Sequence, residues 1–542
     1  MLFVEKDSAE KEILRFVAKF CGAEYEICEN EEETIWCEKP VMKVGKNDFV
    51  ASLPSILRYI AKSNGFKNLL GCKGACLKTP AEFSSRTRLI QESLTQYKTD
   101  LSKVLLGVSD LEQILSGPIV QHNIDKYQRQ LLKHERELER KRDWNGELKG
   151  KQEIPLKKIP TKDLPELEHA FLEGIQLSIS DLAAFLPVEK VKEKIGERDF
   201  NEKFPTVRKW FYRCTRIIQS KTINTDNSIS GYDPVLLNEP IATQDFVVIA
   251  RRQTPLKKIS PALEKDDIKS DIHSKSSKSM IQKLELSAKV DLETVRNKLP
   301  SPDPYSHVAI PDRDKIILDG FADPAKGGLG KARTERKLLQ LQNMVARLKK
   351  MDTKGKIIVD FCAGGGHLGL AAAKVCPEAT IVLVETKEES LNRARSRIQE
   401  WKVTNVAICQ SNLTQLNCKF DIGLAVHACG SATDQVIQMC LKWRAAFIVS
   451  PCCYGRVSDL VLPRSKEYQK RISSQESLLL AHAADITPVD ESLTKTGKEC
   501  MNLTDTDRKL MCEEKGYVAT VYEMIPLSCS PKNNFIVAEP AN

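Results

Sequence analysis

Apolar and polar residues change their spacing along the chain, and this change divides the chain into two unlike halves. Residues 81–218 place apolar side chains mostly at helical intervals, whereas residues 306–542 alternate short β-branched runs with amphipathic stretches. Between them, residues 219–305 lose the periodic pattern and are rich in Ser, Lys, Asp and Pro, which is typical of a linker. The pattern therefore predicts a helical domain, a flexible linker and an α/β domain.

Charge is distributed unevenly over these predicted segments. The helical domain contains a charged insertion at 126–158, whose alternating signs at helical spacing predict a long exposed helix. Residues 251–300 of the linker hold twelve Lys or Arg against seven Asp or Glu, a net charge of +5. Such a basic segment is either a solvated tether or one that contacts phosphates.

Composition is that of a soluble protein with several domains. The 542 residues are 41% hydrophobic and 29% charged, and at about 100–200 residues per domain the length predicts two to four domains. No apolar run reaches about 18 residues, and Met1 to Glu10 carries acids where a secretory signal carries bases. We therefore expect no membrane contact, a cytoplasmic location and reduced thiols at the 17 cysteines. The net charge of +9 permits RNA as a partner.

A helix start in the amino-terminal half has a distinctive sequence, GIQLSISDLAAFLP at Gly174–Pro187. Ser178 is the predicted N-cap and Asp181 the N3 residue of a capping box. This segment, followed by FPTVRKWFYRC, resembles the carboxy-terminal all-helical domain of the glutathione transferase family. The second motif is filled by Phe204, Pro205, Val207 and Trp210.

Residues 1–80 resemble a degenerate form of the thioredoxin-like α/β domain that precedes those helices in glutathione transferases. Pro40 occupies the position of the family's cis-proline, and Ala51–Ser52 that of its glutathione-binding acid–Ser pair, with the acid missing. Glutathione transfer needs a Tyr, Ser or Cys near the first strand to hold the thiolate, and up to Lys19 only Ser8 qualifies. We therefore expect a docking module for a protein partner, with a glutathione-dependent transferase as the alternative.

The main chemical signal in the carboxy-terminal half is KIIVDFCAGGGHLGLAAAK at Lys356–Lys374. A β-branched strand, a glycine-rich turn and a helix follow one another, and a second strand ends at Glu385, about 20 residues after the glycines. Enzymes that bind NAD and enzymes that bind S-adenosylmethionine share this arrangement. The loop after Asp360 resembles class I methyltransferases, which implies S-adenosylmethionine as cofactor. The implied cofactor-binding residues are Asp360, Cys362, Gly364, Gly366, Gly369, Glu385 and Asn412.

Further strands follow at the spacing that such a domain requires. NVAICQSNL, FDIGLAVHACG and AAFIVSPCCYG supply strands three to five, and YVATVYEMIP with NNFIVAE supplies an antiparallel hairpin at the end. The expected fold is a doubly wound, seven-stranded, Rossmann-like α/β sheet, with ligands at the carboxyl ends of its strands.

Two further segments resemble those of a smaller group within the methyltransferases. HACGSATD (His427–Asp434) and SPCCYG (Ser450–Gly455) resemble segments of methyltransferase-like proteins that include a tRNA ribose methyltransferase group. Together with the amino-terminal motifs, the chain resembles the family of glutathione S-transferase C-terminal domain-containing proteins. That resemblance implies a methyltransferase whose acceptor is RNA, with tRNA favoured.

Side chains in these two segments are the candidates for catalysis and substrate binding. His427 is a candidate general base or a structural histidine, and Asp434 is placed with it at the pocket mouth. Cys452, Cys453 and Tyr454 are expected to line the substrate pocket. Zinc held by these cysteines with Cys429 and His427 is disfavoured, because adjacent cysteines on a strand end seldom share one ion. No metal is expected.

The sequence therefore predicts an S-adenosylmethionine-dependent methyltransferase joined to a glutathione-transferase-like helical module. A scaffold that binds cofactor or RNA without turnover is an alternative, and a glutathione-dependent transferase is another.

Overall fold

A computed structural model describes the chain in segments. These segments are residues 1–29, 37–70, 79–117, 169–174, 177–223, 285, 289–300, 331–413, 416–457, 461–486 and 491–541. The described residues form two compact units. The first holds the residues up to Ile223 other than 37–38 and 43–51, and the second holds those two stretches with all described residues from 285 onward. The charged insertion predicted at 126–158 lies outside the described residues, as does most of the predicted linker.

The first unit is mostly helical. Its helices are α1 (Ala9–Phe20), α2 (Leu53–Ser63), α3 (Thr79–Glu92), α4 (Leu101–Ser116), α5 (Ile179–Ile195), α6 (Glu197–Lys203) and α7 (Pro205–Ile223). Its strands are β1 (Leu2–Phe3), β2 (Ile27–Cys28) and the first half of β3 (Val41–Gly45). β1 pairs parallel with β2 and antiparallel with β3, and the Lys39–Pro40 peptide bond is cis.

Asp181 organises the centre of this unit from the first turn of α5. The capping box predicted with Ser178 is present, and the Ser178 amide donates to Asp181 Oδ2 at 2.8 Å. Asp181 Oδ1 accepts from the Leu172 amide at 2.7 Å and from Trp210 Nε1 on α7, also at 2.7 Å. The carboxylate is fully buried, so these donors replace the water that it loses on folding.

Aromatic stacking surrounds this polar centre. The Phe185 ring on α5 lies 5.7 Å from the Phe16 ring on α1 and 5.0 Å from the Phe211 ring on α7. Glu112 on α4 caps α7 by accepting from the amides of Thr206 and Val207, the latter at 2.8 Å. The helices are thus held by packing at the centre and by a side-chain cap at one end.

The second unit contains the predicted α/β sheet. Its strands are β4 (Asp48–Ala51), β5 (Ile357–Phe361), β6 (Thr380–Glu385), β7 (Val406–Gln410), β8 (Ile422–Val426), β9 (Ala446–Ser450), β10 (Tyr517–Glu523) and β11 (Asn534–Pro540). Its helices are α8 (Leu292–Lys298), α9 (Lys331–Leu348), α10 (His367–Val375), α11 (Glu388–Glu400), α12 (Ser431–Trp443), α13 (Lys466–Gln469), α14 (Ser474–Ala483) and α15 (Glu491–Glu514). Among the described helices, none combines the length and apolarity needed to cross a bilayer.

The strand order confirms the predicted doubly wound topology. Among the strands assigned to the second unit it runs β10-β11-β9-β8-β5-β6-β7-β4, with β5 to β9 parallel and β11 antiparallel to both β9 and β10. The central strands are buried almost along their whole length, as parallel strands covered by helices on both faces must be. The five parallel strands therefore present their carboxyl ends at one edge.

One strand was not predicted in this sheet. β4, from the segment assigned to the thioredoxin-like region, pairs parallel with β7 and makes an eighth strand. Arg395 on α11 fixes it through two hydrogen bonds to Asp48, of 2.6 and 3.0 Å. β4 has only four residues, and so short a strand does not indicate from its sequence which strand it will pair with. Its pairing with β7 could therefore not be predicted.

Two described parts of the predicted flexible linker 219–305 are helical. α7 continues to Ile223, and α8 is an ordered helix within the second unit. Val295 and Leu299 are buried there in a cluster that includes Tyr454 and Tyr468. The stretch was predicted as linker because seven helical residues among many charges produce too little apolar periodicity to detect.

Asp434 is the centre of a buried ion network in the second unit. Arg508 donates from Nε to Oδ1 at 3.1 Å and from Nη2 to Oδ2 at 2.9 Å, and Arg464 contacts both oxygens as well. Burial acts to raise the pKa of Asp434, but the two guanidinium charges outweigh it and hold that pKa well below its usual range. The network joins α12, α15 and the segment before α13.

Replacing Asp181 with alanine is expected to destabilise the first unit. The change leaves the Leu172 amide and Trp210 Nε1 buried without their acceptor, at a cost of about 2–5 kcal/mol. Thermal unfolding of the full chain followed by circular dichroism measures the effect. Asp199→Ala, at an exposed position of α6, is the matched control and should cost less than about 1 kcal/mol. Equal losses in the two variants would contradict the central role of Asp181.

Replacing Asp434 with asparagine is expected to destabilise the second unit by about 3–5 kcal/mol, because the buried Arg508 and Arg464 guanidinium groups lose the carboxylate charge that they share, and each keeps one other acid, Asp505 and Asp507 respectively. Urea unfolding of the full chain monitors the loss, with Glu467→Gln as control, since Glu467 pairs with Arg471 at the surface. A D434N chain as stable as the control would show that the network contributes little.

Candidate functional site

The glycine-rich turn between β5 and α10 contains glycines in two kinds of surroundings. A Cβ at Gly369 would lie 2.1 Å from Leu383 Cδ2, and one at Gly366 would lie 2.9 Å from Leu383 Cδ1. These two glycines therefore allow α10 to pack directly on β6. Gly364 has φ +55°, and a Cβ there would meet nothing within 4 Å. Gly364 thus faces open space at the carboxyl edge of the sheet.

Asp360 is the last residue but one of β5, just before this turn. It is buried, and its Oδ2 accepts from the Gly369 amide at 2.8 Å, which ties the first turn of α10 to the strand. Burial raises the pKa of Asp360 to about 7, and the nearby Glu385 charge acts in the same direction. Asp360 therefore lies at the glycine-rich turn, as predicted, and its hydrogen bond with the Gly369 amide stabilises that turn.

Glu385 ends β6, the strand that pairs with β5. Its Oε2 accepts from the Gly364 amide at 3.0 Å, and its Oε1 accepts from the amides of Thr386 and Lys387 at 2.8 and 2.9 Å. A carboxylate oxygen accepts more than one hydrogen bond, so Oε2 keeps acceptor capacity beside Gly364. A fixed carboxylate thus adjoins the open side of the glycine turn.

The remaining predicted cofactor residues adjoin the same strand ends. Cys362 follows β5 with φ +57°, and burial raises its pKa to about 12, so it is a neutral thiol. Asn412 follows β7, and the amide of its neighbour Ser411 donates to the Glu385 carbonyl at 3.2 Å. The structure therefore gathers all the predicted cofactor-binding residues around the ends of β5, β6 and β7.

His427 follows β8 and contacts a residue that the sequence did not indicate. Its Nε2 lies 3.0 Å from Oε1 of Gln340 on α9, while Gln340 Nε2 donates to the Cys529 carbonyl at 2.9 Å. Since the Gln340 amide nitrogen is already a donor, its oxygen accepts from His427 Nε2–H. This assignment leaves His427 Nδ1 as the basic nitrogen. Burial and the Lys337 charge lower the pKa of His427.

Two predicted site residues lie elsewhere. Asp434 is enclosed by Arg464 and Arg508, so its position at a pocket mouth with His427 is wrong. Tyr454 is fully buried and donates to Asp505 Oδ2 at 2.8 Å, so it belongs to the core and does not line a pocket. The His427–Asp434 and Ser450–Gly455 segments each contain both buried structural residues and accessible residues. The sequence does not distinguish the two kinds, because burial depends on how the segments pack.

A third cysteine, Cys429, lies close to the two cysteines that were predicted to line the pocket. Cys429 Sγ lies 3.0 Å from Cys452 Sγ, and Cys452 Sγ lies 3.7 Å from Cys453 Sγ. Cys429 is exposed and the other two are half-buried. Thiol contacts from Cys452 and Cys453, followed by the Arg456 charge, lower the pKa of Cys429. We call Cys429, Cys452 and Cys453 the cysteine cluster.

Comparison with known proteins identifies the second unit. A family model described as a methyltransferase domain matches residues 335–459, which include the glycine turn, Glu385, His427 and the cysteine cluster. Among solved structures, the O-methyltransferase TomG from Streptomyces achromogenes, described in complex with SAM, is similar with a TM-score of 0.26 at 15% identity, over 43% of this chain and 90% of that one.

Several proteins that share one name are similar to nearly the whole chain. The glutathione S-transferase C-terminal domain-containing protein of Homo sapiens is 32% identical over 93% of this chain and 86% of its own length. The Xenopus laevis protein of that name is 30% identical over 93% of this chain and 88% of its own length. With both halves covered at this identity, the chain belongs to the family of glutathione S-transferase C-terminal domain-containing proteins.

Proposed function

We propose that the methyltransferase domain binds S-adenosylmethionine at the glycine turn and methylates RNA. The observation that supports cofactor binding best is the open space in front of Gly364, beside Glu385 Oε2, at the edge where ligands of doubly wound sheets bind. When bound, S-adenosylmethionine supplies a methyl group activated by its sulfonium. Glu385 is the acceptor assigned to the ribose hydroxyls, and Asn412 is assigned to the adenine.

Several features fit a cofactor of this kind. The glycine turn is fixed from below by Asp360 and from the side by Glu385, so its backbone is positioned before the ligand arrives. Arg397 donates to the Gly365 carbonyl and holds the outer face of the turn. A preorganised loop of this kind lowers the ordering cost of binding and holds the cofactor in one pose relative to the acceptor.

The acceptor proposal rests on α9 and on the His427 segment. Arg333, Arg336 and Lys337 precede Gln340 by seven, four and three residues, so these basic side chains lie along the helix face that holds His427. Arg333 and Arg336 are exposed, as phosphate contacts require. His427 Nδ1 is the base assigned to the acceptor hydroxyl. The resemblance of the His427 and Ser450 segments to a tRNA ribose methyltransferase group favours tRNA.

The first unit is proposed to dock a protein partner. Ser8, the one candidate for holding a glutathione thiolate, accepts from the Lys11 amide at 3.2 Å as the N-cap of α1. This cap role favours docking over glutathione turnover. The described cysteines are free thiols, which favours a reducing compartment such as the cytoplasm as the place of action.

Replacing Gly364 with arginine is expected to abolish S-adenosylmethionine binding, because the side chain fills the open space beside Glu385. Isothermal titration of the full chain should show binding at least roughly 100-fold weaker. Gly355→Arg is the matched control, since Gly355 also has positive φ and open surroundings but lies before β5. Both variants carry the same backbone strain, so only the first should lose binding. No binding by the unchanged chain, or equal binding by G364R, would overturn the cofactor proposal.

Methyl transfer tests the acceptor. With S-adenosylmethionine labelled on its methyl group and total cellular RNA, we expect ribonuclease-sensitive label that concentrates in the tRNA fraction. His427→Ala should slow the transfer by roughly 100-fold or more while cofactor binding persists. Gly355→Arg again serves as the control. Label that appears only in protein when total cellular protein replaces RNA would reject RNA as the acceptor and leave cofactor binding standing.

A further inference from the structure

The cysteine cluster stands at the carboxyl ends of β8 and β9 and has no role in the cofactor site described above. Its three sulfurs all lie within 4.8 Å of one another, although Cys429 is 23 residues from Cys452 in sequence. Thiolates are the preferred ligands of soft and borderline metal ions such as Zn²⁺. With a zinc–sulfur bond of about 2.3 Å, two sulfurs on one tetrahedral ion lie roughly 3.8 Å apart, so the observed spacing is close to that of a ligand set.

Backbone contacts hold the two loops that carry these sulfurs. The Gly430 amide donates to the Cys453 carbonyl at 3.0 Å, and the Ser431 amide donates to the Arg456 carbonyl at 2.9 Å. A Cβ at Gly430 would lie 2.4 Å from the Arg456 carbonyl oxygen, so the glycine permits this close approach. These backbone hydrogen bonds therefore hold the loop of Cys429 against the loop of Cys452 and Cys453, which keeps the three sulfurs close together.

A second set of contacts fixes the Cys452–Cys453 side. Asp485 accepts from the Tyr454 amide at 2.9 Å and from the Gly455 amide at 2.8 Å, directly after the adjacent cysteines. Lys532 lies 3.6 Å from Asp485 and 5.5 Å from the Tyr454 ring centre. Lys532 and Arg456 supply two positive charges close to the cluster, against the one negative charge of Asp485. Three thiolates on a divalent ion carry a net charge of −1, which such neighbours stabilise.

We propose that Cys429, Cys452 and Cys453 form a metal site for a thiophilic divalent cation of the Zn²⁺ type, with one coordination position open. On binding, each sulfur that is still a thiol releases its proton to solvent as its bond to the ion forms, and no electron is transferred. Because Cys429 is exposed, the site is reached from solvent. Three protein ligands with an open position are the arrangement of a reactive zinc site, whereas a structural site is closed by four.

Cobalt substitution tests this site in the full chain. The reduced, chelator-treated protein is titrated anaerobically with Co²⁺, whose thiolate charge-transfer and ligand-field bands report sulfur ligation, and bound metal is counted by elemental analysis. We expect one ion per chain with thiolate bands. Cys452→Ser should weaken binding by more than about 100-fold, since even outer contacts of metal ligands cost 10–100-fold. Zn²⁺ should displace Co²⁺ and bleach the bands.

Two further variants keep the test decisive. Cys429→Ala changes an exposed side chain, so it should remove the thiolate bands without altering thermal unfolding. Cys28→Ser replaces a half-buried thiol in the first unit and should leave the bands unchanged. Thiolate bands that persist in both cluster variants, or a reduced chain that binds no Co²⁺, would overturn the proposal. Because S-adenosylmethionine titration is measured separately, failure here leaves the cofactor proposal intact.

Discussion

Parallel pairing of β5 to β9 is the constraint on which the rest of the second unit depends. It requires every one of these strands to end at the same edge of the sheet, so residues that follow different strands become neighbours. Asp360, Glu385, Asn412, His427 and the cysteine cluster are separated in sequence and share only a position at or just after the carboxyl end of a strand. The antiparallel hairpin of β10 and β11 closes the other side of the sheet beside β9 without adding to that edge.

Close packing of α10 on β6 is the second requirement, and it limits which residues the glycine turn can contain. Gly366 and Gly369 are needed because Leu383 occupies the space that a side chain would take. Gly364, two residues earlier, is needed neither for that packing nor for contact with another side chain. The three glycines of one motif therefore have two physical roles, and the open one marks the proposed ligand side of the turn.

Buried charge is used for structure in both units. Asp181 in the first unit and Asp434 in the second each lose water on folding and regain hydrogen bonds from several partners. The compensation differs, since Asp181 receives neutral amide, hydroxyl and indole donors, whereas Asp434 receives two guanidinium groups. Both residues stand in the first turn of a helix, where the helix dipole also favours an acid.

Local sequence determined much of this protein. The β-branched runs fixed the seven strands, the Ser178–Asp181 spacing fixed the start of α5, and the glycine spacing fixed the turn before α10, because each depends on residues adjacent in the chain. Contacts between distant segments were decided only by the tertiary structure. The packing of these segments buries Asp434 and Tyr454 and places α8 in a hydrophobic cluster. It pairs β4 with β7 and brings Gln340 into contact with His427. It also brought Cys429 to two adjacent cysteines, since a side chain's surroundings depend on which segments pack around it.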